Sequence, residues 1–172
     1  MYIIRPIALT DEIFLWQMLY EAAHLHAEGQ TVEDAKNHPE LTKYVKNWGQ
    51  QGDFGLISTL ASNHQPIGAA WLRLLTGENQ GYGYIDDETP ELAIAILPEY
   101  RNQGIGTELL RNLITISQSM YRGICLSIRT DNPAFNLYKK LGWQPIAGSE
   151  KINRVGGISI KMKLDFYQSI KS

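Results

Sequence analysis

The sequence predicts a single α/β (α+β) domain over residues 1–172, with a mixed, mostly antiparallel central sheet flanked by helices on both faces. Three observations predict it. Residues 54–61 and 67–75 are apolar stretches joined by the turn-rich Ser62-Asn63-His64-Gln65, the pattern of an antiparallel hairpin. From 92 to 141 strand-like and helix-like patterns alternate, which sets helices beside a sheet. The chain of 172 residues is long enough for one core, and no repeat or low-complexity linker divides it.

The elements follow in order. Residues 2–7 read as a first strand, after which Thr10 or Asp11 caps a helix to about Ala23. That helix carries Ile13, Phe14, Leu15, Trp16, Met18, Leu19 and Tyr20, more apolar surface than one core-facing stripe uses. A second helix, a partner chain or a ligand is expected to cover the surplus. Leu41, Tyr44, Val45 and Trp48 recur at helical spacing and predict a helix over 40–48. After the hairpin, residues 77–90 form a polar loop with Tyr82, Tyr84 and the acidic run Asp86-Asp87-Glu88. Residues 92–97 read as a buried strand stopped by Pro98, and 104–119 as a helix with Leu109, Leu110, Leu113 and Ile114 on its apolar face. Over 123–129, Ile124, Leu126 and Ile128 alternate with Cys125 and Ser127. Asn132-Pro133 opens a short helix that Gly142 ends. Ile158, Ile160, Met162 and Leu164 alternate with Ser159, Lys161 and Lys163 in a last strand.

Composition narrows the function classes. Hydrophobic residues at 44% and charged residues at 20% suit a folded protein. Sixteen Lys and Arg against eighteen Asp and Glu give a net charge of -2, so no broad basic face for nucleic acid is expected. The longest strictly apolar run, 92–97, falls far short of the ~20 residues that span a bilayer, and no membrane partner is expected. The first ten residues hold no extended apolar segment of the signal-peptide kind. Cys125 is the sole cysteine, which fits a reducing, cytoplasmic setting. His24, His26, His38 and His64 share no ligand spacing, so no metal is expected.

The chemistry concentrates after residue 92. A buried strand ends at Pro98, a polar turn follows, and Gly104 and Gly106 open an amphipathic helix. Such a turn presents backbone N–H groups and a helix dipole to an anion, with pyrophosphate as the natural occupant. The dinucleotide pattern G-x-G-x-x-G fails because position 109 is Leu109, and the Gly-Lys-Ser/Thr of a nucleotide-binding P-loop is absent. A packing turn that binds nothing is the competing reading of the two glycines.

Arg101-Asn102-Gln103-Gly104-Ile105-Gly106 resembles the R/Q-x-x-G-x-G/A signature of GNAT-type N-acetyltransferases, which bind acetyl-coenzyme A. It follows Pro98-Glu99-Tyr100, as it often does in that family, and about 25 residues later Asn132 to Trp143 resembles a second family signature, with Leu137-Tyr138 and Leu141-Gly142 as its core. The resemblance implies a GNAT-like fold and transfer of an acetyl group to a primary amine by direct attack in a ternary complex. It assigns the coenzyme pyrophosphate to Arg101, Asn102, Gln103, Gly104, Ile105, Gly106 and Thr107. It assigns the pantetheine arm to the strand edge at Ile94, Ala95 and Ile96, where main-chain groups pair with amides. The N–H of Ile96 or Leu97 would face the thioester oxygen. Asn132 would hydrogen-bond the coenzyme arm, cap its helix, or do both.

By the same resemblance Tyr138 is the general acid that protonates the departing thiolate. A thiol near ~8.5 and a phenol near ~10 differ by about 1.5 units, roughly 2 kcal/mol, which a fixed contact offsets. Ala134, Leu137, Tyr138 and Leu141 also lie at core spacing, so a purely structural Tyr138 is the other reading. An amine with pKa near ~10.4 is neutral in only about one molecule in 2,500 at pH 7, so a base is needed. Glu91 stands where family members often place a Glu, with Asp86, Asp87 and Glu88 as competitors and solvated acids as the plain alternative.

Trp16, Tyr20, Tyr82 and Tyr84 are candidates for an aromatic acceptor pocket, and the acidic run favours a cationic amine, small molecule or peptide. A covalent Cys125 intermediate is the enzymatic alternative, weakened by the absence of a His partner in the pattern. A non-catalytic acyl-coenzyme A binding module would keep the glycine turn and need neither acid nor base. A homodimer through the over-apolar first helix or a C-terminal edge strand is the expectation for assembly.

Overall fold

Ser62 to Gln65 closes a hairpin, as its turn chemistry dictates: Asn63 Oδ1 accepts the Gln65 N–H, and His64 takes a left-handed φ of 60°. The computed structural model describes residues 1–166. The hairpin strands are β2 (Phe54–Leu60) and β3 (Pro66–Arg73), and β1 (Tyr2–Pro6) pairs antiparallel with β2 from Tyr2↔Leu60 to Pro6↔Leu56. The architecture is α/β with mostly antiparallel strands, the class the sequence predicts; the described residues hold eight strands and five helices.

The chain forms two compact units. Met1–Arg73 and Leu92–Ile116 make the first, and Leu74–Glu91 with the described residues from Ser117 onward makes the second. In the first, α1 (Glu12–Ala22) buries Leu15, Trp16, Met18 and Leu19, and its C-cap Ala23 is followed by a left-handed His24. A further helix, α2 (Val32–Asn37), packs on α1 and covers part of its apolar surface, while Ile13 stays 81% exposed. Sequence reasoning missed α2, although its signature stands in the chain: Thr31 and Asp34 form a reciprocal capping box.

The predicted helix over 40–48 contracts to α3 (Pro39–Thr42). Its apolar spacing is still honoured, since Leu41, Tyr44, Val45 and Trp48 are all buried. What changes is the destination of the carbonyls. Trp71 Nε1 donates to Tyr44 O at 2.9 Å, and Arg73 donates to the carbonyls of Lys43, Lys46 and Asn47 at 3.0, 2.6 and 3.0 Å. Side chains from β3 thus satisfy the carbonyls of Lys43 and Tyr44, which the predicted helix would have paired itself, together with those of Lys46 and Asn47, which its last turn would have left open. Asn47 turns the chain at φ 60°. Arg73 also grips Asp53 with two bonds of 3.0 and 2.9 Å and lies 5.6 Å from the Trp48 ring centroid.

Strand β4 (Glu91–Ile96) neighbours β3 and leads through a 3-10 turn at Pro98–Tyr100 to α4 (Ile105–Ser117). In the second unit β5 (Gly123–Arg129) pairs antiparallel with β8 (Ile158–Asp165) over seven registers. Two short strands absent from the sequence reading, β6 (Gln144–Pro145) and β7 (Lys151–Ile152), also pair with β8. The alternation predicted for β8 holds from Ile160 onward: Ile160, Met162 and Leu164 are buried and Lys161 and Lys163 half-buried, while Ile158 at the start of the strand is 42% exposed. Helix α5 (Ala134–Lys140) stops at Gly142, whose φ is 100°.

Candidate active site

The glycine turn belongs to the first unit. Asn102 and Gly104 both take left-handed φ angles, 61° and 84°, so the chain doubles back just before α4. The first hydrogen bond of the helix runs from Glu108 N–H to Gly104 O. Among the described residues the N–H groups of Asn102, Gln103, Gly104, Ile105, Gly106 and Thr107 donate to no acceptor. Residues 101–104 are exposed, and a Cβ added at Gly104 would meet nothing within 4 Å. The turn is an open ring of donors at the positive end of a helix dipole.

The end of β4 lies beside it. Leu97 N–H donates to Ile67 O of β3 at 2.8 Å, which removes it from the two oxyanion candidates. Strand alternation then aims the main-chain groups of Ile94 and Ile96 away from β3, and Ala95 toward it. Arg101 bends back onto this edge: its Nε donates to Ile96 O at 2.9 Å and its Nη2 pairs with Glu21 at 3.1 Å. The carbonyl of Ile96 is therefore occupied, while its N–H faces outward. Glu21 was invisible to sequence reasoning because its partner lies 80 residues away.

The second unit carries the candidate acid and bases. Tyr138 on α5 is buried, and its ring meets Trp143 edge-on. Burial pushes its hydroxyl well above the usual phenol value, which keeps the proton on the oxygen at neutral pH. Asn132 Oδ1 accepts the Ala134 N–H at 2.9 Å in the turn that leads into α5, where Pro133 holds the N-cap position.

Glu91 opens β4 and is only 5% exposed, in register with Cys125 of β5. The competing acids serve the loop around them. Asp86 accepts from Glu88 N–H at 2.9 Å and Thr89 Oγ1 at 2.8 Å, and these two bonds, the Thr89 one first, hold its carboxyl below the usual range. Asp87 accepts the Tyr84 hydroxyl at 2.7 Å, which raises that phenol. The Cys125 thiol is fully buried, donates weakly toward Pro90 O, and is pushed far up by burial and by the charges of Glu91 and Asp86, the opposite of an activated nucleophile. Trp16 is buried in the first unit at 8% exposure; Tyr20 is half-buried with its hydroxyl 3.3 Å from His26 Nδ1. Among the described residues no group of three His, Cys, Asp or Glu is arranged to hold a metal ion, and no helix is long and apolar enough to cross a membrane.

Comparison with known proteins gives consistent likenesses. The sequence model of the acetyltransferase (GNAT) family matches residues 16–143. An N-alpha-acetyltransferase of Sulfurisphaera tokodaii is 41% identical over 58 residues, 32% of this chain and 35% of that protein, so the match spans about a third of the relative's length. In structure, the ribosomal-protein-S18-alanine N-acetyltransferase of Escherichia coli superposes with a TM-score of 0.70 at 20% identity, covering 99% of this chain and 97% of that one. The PaiA N-acetyltransferase of Thermoplasma acidophilum, solved with coenzyme A, gives 0.62 at 18% identity over 96% and 99% of the two chains. At these identities the two structures share the fold.

Proposed function

Because the chain belongs to the acetyltransferase (GNAT) family, a family of acyltransferases, we propose that it moves an acetyl group from acetyl-coenzyme A to a primary amine. The observation that carries this reading is the set of six backbone N–H groups from Asn102 to Thr107 that lack acceptors among the described residues. A pyrophosphate accepts such bonds without needing a basic side chain, which reconciles phosphate binding with a net charge of -2. Arg101 serves first as a brace on Ile96, and its Nη1 group retains donors for the phosphates. The outward main-chain groups of Ile94 and the N–H of Ile96 suit the amides of the pantetheine arm and the thioester oxygen. Asn132 has its Oδ1 engaged, so its contact with the arm falls to Nδ2.

The amine nitrogen attacks the thioester carbonyl carbon, the tetrahedral oxyanion collapses, and the carbon–sulfur bond breaks. Tyr138 gives its proton to the leaving thiolate. Its raised pKa makes it a weaker acid than the ~10 of a free phenol, but a thiolate leaving into equally dry surroundings is raised in the same direction, so the transfer stays feasible. Glu91 takes the amine proton, directly or through water. The acceptor is a cationic amine, on a peptide terminus or a small molecule, and the lone buried cysteine suits a cytoplasmic setting.

The test pairs calorimetric titration of acetyl-coenzyme A with thiol release over an amine panel comprising an alanine-initiated peptide, spermidine and simple alkylamines. Saturable binding with amine-dependent release is expected. Binding without release for any amine would assign the protein to a non-catalytic acyl-coenzyme A module, and no binding would remove the donor assignment.

A further inference from the structure

The candidate base is covered by a loop that cannot carry a side chain where it crosses. Gly83 is buried, and a Cβ placed on it would stand 2.6 Å from Leu126 C, 2.9 Å from Ser127 N and 3.0 Å from Glu91 Cδ. Two of those neighbours are main-chain atoms of β5, which cannot give way, so the close approach requires glycine. The next residue is held by another element: Lys161 of β8 donates from Nζ to Tyr84 O. Tyr84 then ties to Asp87, and Asp86 caps Glu88 and Thr89, which makes the acidic stretch a self-bonded turn. At the far end Cys125 N–H donates to Pro90 O at 3.0 Å. All of these contacts lie within the second unit.

We propose that Gly83 and Lys161 are positioning residues for the acceptor amine, clamping the loop of residues 81–90 as a fixed cover over the Glu91 carboxyl. The proposal rests on the acetyltransferase reading. With the cover down, Glu91 is 5% exposed and an amine approaches it along the rim, where Tyr82 is 39% exposed and Asp86, Asp87 and Glu88 face solvent. The acids of the run therefore act as a group held in one geometry by the clamp. A methyl at position 83 lifts the loop from β5, and loss of the Lys161 ammonium frees Tyr84 O. Either change misplaces the acceptor while leaving the turn at Asn102–Thr107 untouched.

The experiment measures thiol release by the wild type and by Gly83→Ala, Lys161→Met and Lys161→Arg, varying acetyl-coenzyme A and the best amine of the panel separately. An ångström of misplacement costs up to about a hundredfold in rate, so an intermediate rise of about tenfold in KM for the amine is expected in Gly83→Ala and Lys161→Met. KM for acetyl-coenzyme A should stay within about twofold, and Lys161→Arg, which can still donate to Tyr84 O, should restore the amine KM to within about threefold. An unchanged amine KM in both active variants overturns the proposal, as does an equal rise for both substrates, which marks general damage to the fold. If Gly83→Ala does not fold, Lys161→Met against Lys161→Arg decides alone. Absence of thiol release by the wild type with every amine overturns the acetyltransferase reading itself, and the acceptor role falls with it.

Discussion

The indole of Trp143 meets the ring of Tyr138 edge-on, with centroids 5.5 Å apart and planes at 65°. The backbone sets this contact. Tyr138 O accepts from the N–H groups of both Leu141 and Trp143, and Gly142 N–H donates to Lys139 O, the bonding of a helix closed by a left-handed glycine. The turn that ends α5 therefore delivers the apolar wall against which its candidate acid packs.

Tyr138→Phe keeps the ring and its contact with Trp143 and removes only the proton donor. Thiol release at saturating substrate should fall by about a hundredfold or more. The thermal midpoint should move by only a few degrees, roughly the effect of 1 kcal/mol in a chain of this size. Undiminished turnover would confine Tyr138 to a packing role.

Trp143→Ala removes a side chain that is 2% exposed and leaves a cavity beside Tyr138. A loss of about 3–5 kcal/mol in urea unfolding is expected. A cost below 1 kcal/mol would mean that the site collapses around the gap.

Arg73 and Asp53 form a pair whose side chains are 7% and 4% exposed. Asp53→Ala strands a buried guanidinium and should cost about 3–5 kcal/mol in the same assay. Arg73→Lys should recover little, since an ammonium cannot reach Asp53 and the carbonyls of Lys43, Lys46 and Asn47 together.

Asp11 supplies the pH dependence. The Arg5 guanidinium, with bonds of 2.8 and 3.0 Å, holds its carboxyl below the usual range, helped by the Ala8 N–H. A carboxyl lowered in the folded state stabilises the fold above its unfolded pKa of about 3.9, and that contribution fades as pH falls toward and through the lowered folded value. The stability difference between wild type and Asp11→Asn should thus be constant from pH 7 to about 5 and vanish in strong acid. A difference that grows on acidification would contradict the assignment.

Gly104→Val puts a β-branched residue at φ 84° where no atom stands in its way. Only backbone strain, about 1–3 kcal/mol, opposes it, so the helix should survive while the donor ring is distorted. The Kd for acetyl-coenzyme A should rise about tenfold or more by calorimetry, the equivalent of about 1.4 kcal/mol. An unchanged Kd would separate the turn from donor binding.

What the sequence discloses here is what short-range chemistry writes. The hairpin at Ser62–Gln65, the strand alternation at Ile160–Leu164, the glycine end of α5 and the donor turn at Asn102–Thr107 each depend on neighbours within a few residues. Tertiary partners override the rest. The 40–48 helix shortened because Trp71 and Arg73 reach across from β3 to its carbonyls. The partnership of Arg101 with Glu21, and that of Gly83 with Leu126 and Ser127, join distant positions and leave no local pattern to read. The acidic run shows its charge in the composition but not its bonding: two of its three carboxylates also hold their own turn together.

The solitary cysteine has a use beyond chemistry. Cys125 lies at the centre of β5, wholly buried, with its thiol held protonated. An alkylating reagent reaches it only when β5 parts from its neighbours, so the labelling rate times that opening with no probe introduced. The molecule carries its own clock. Slowed labelling in the presence of a candidate donor or amine would report binding even where no turnover occurs.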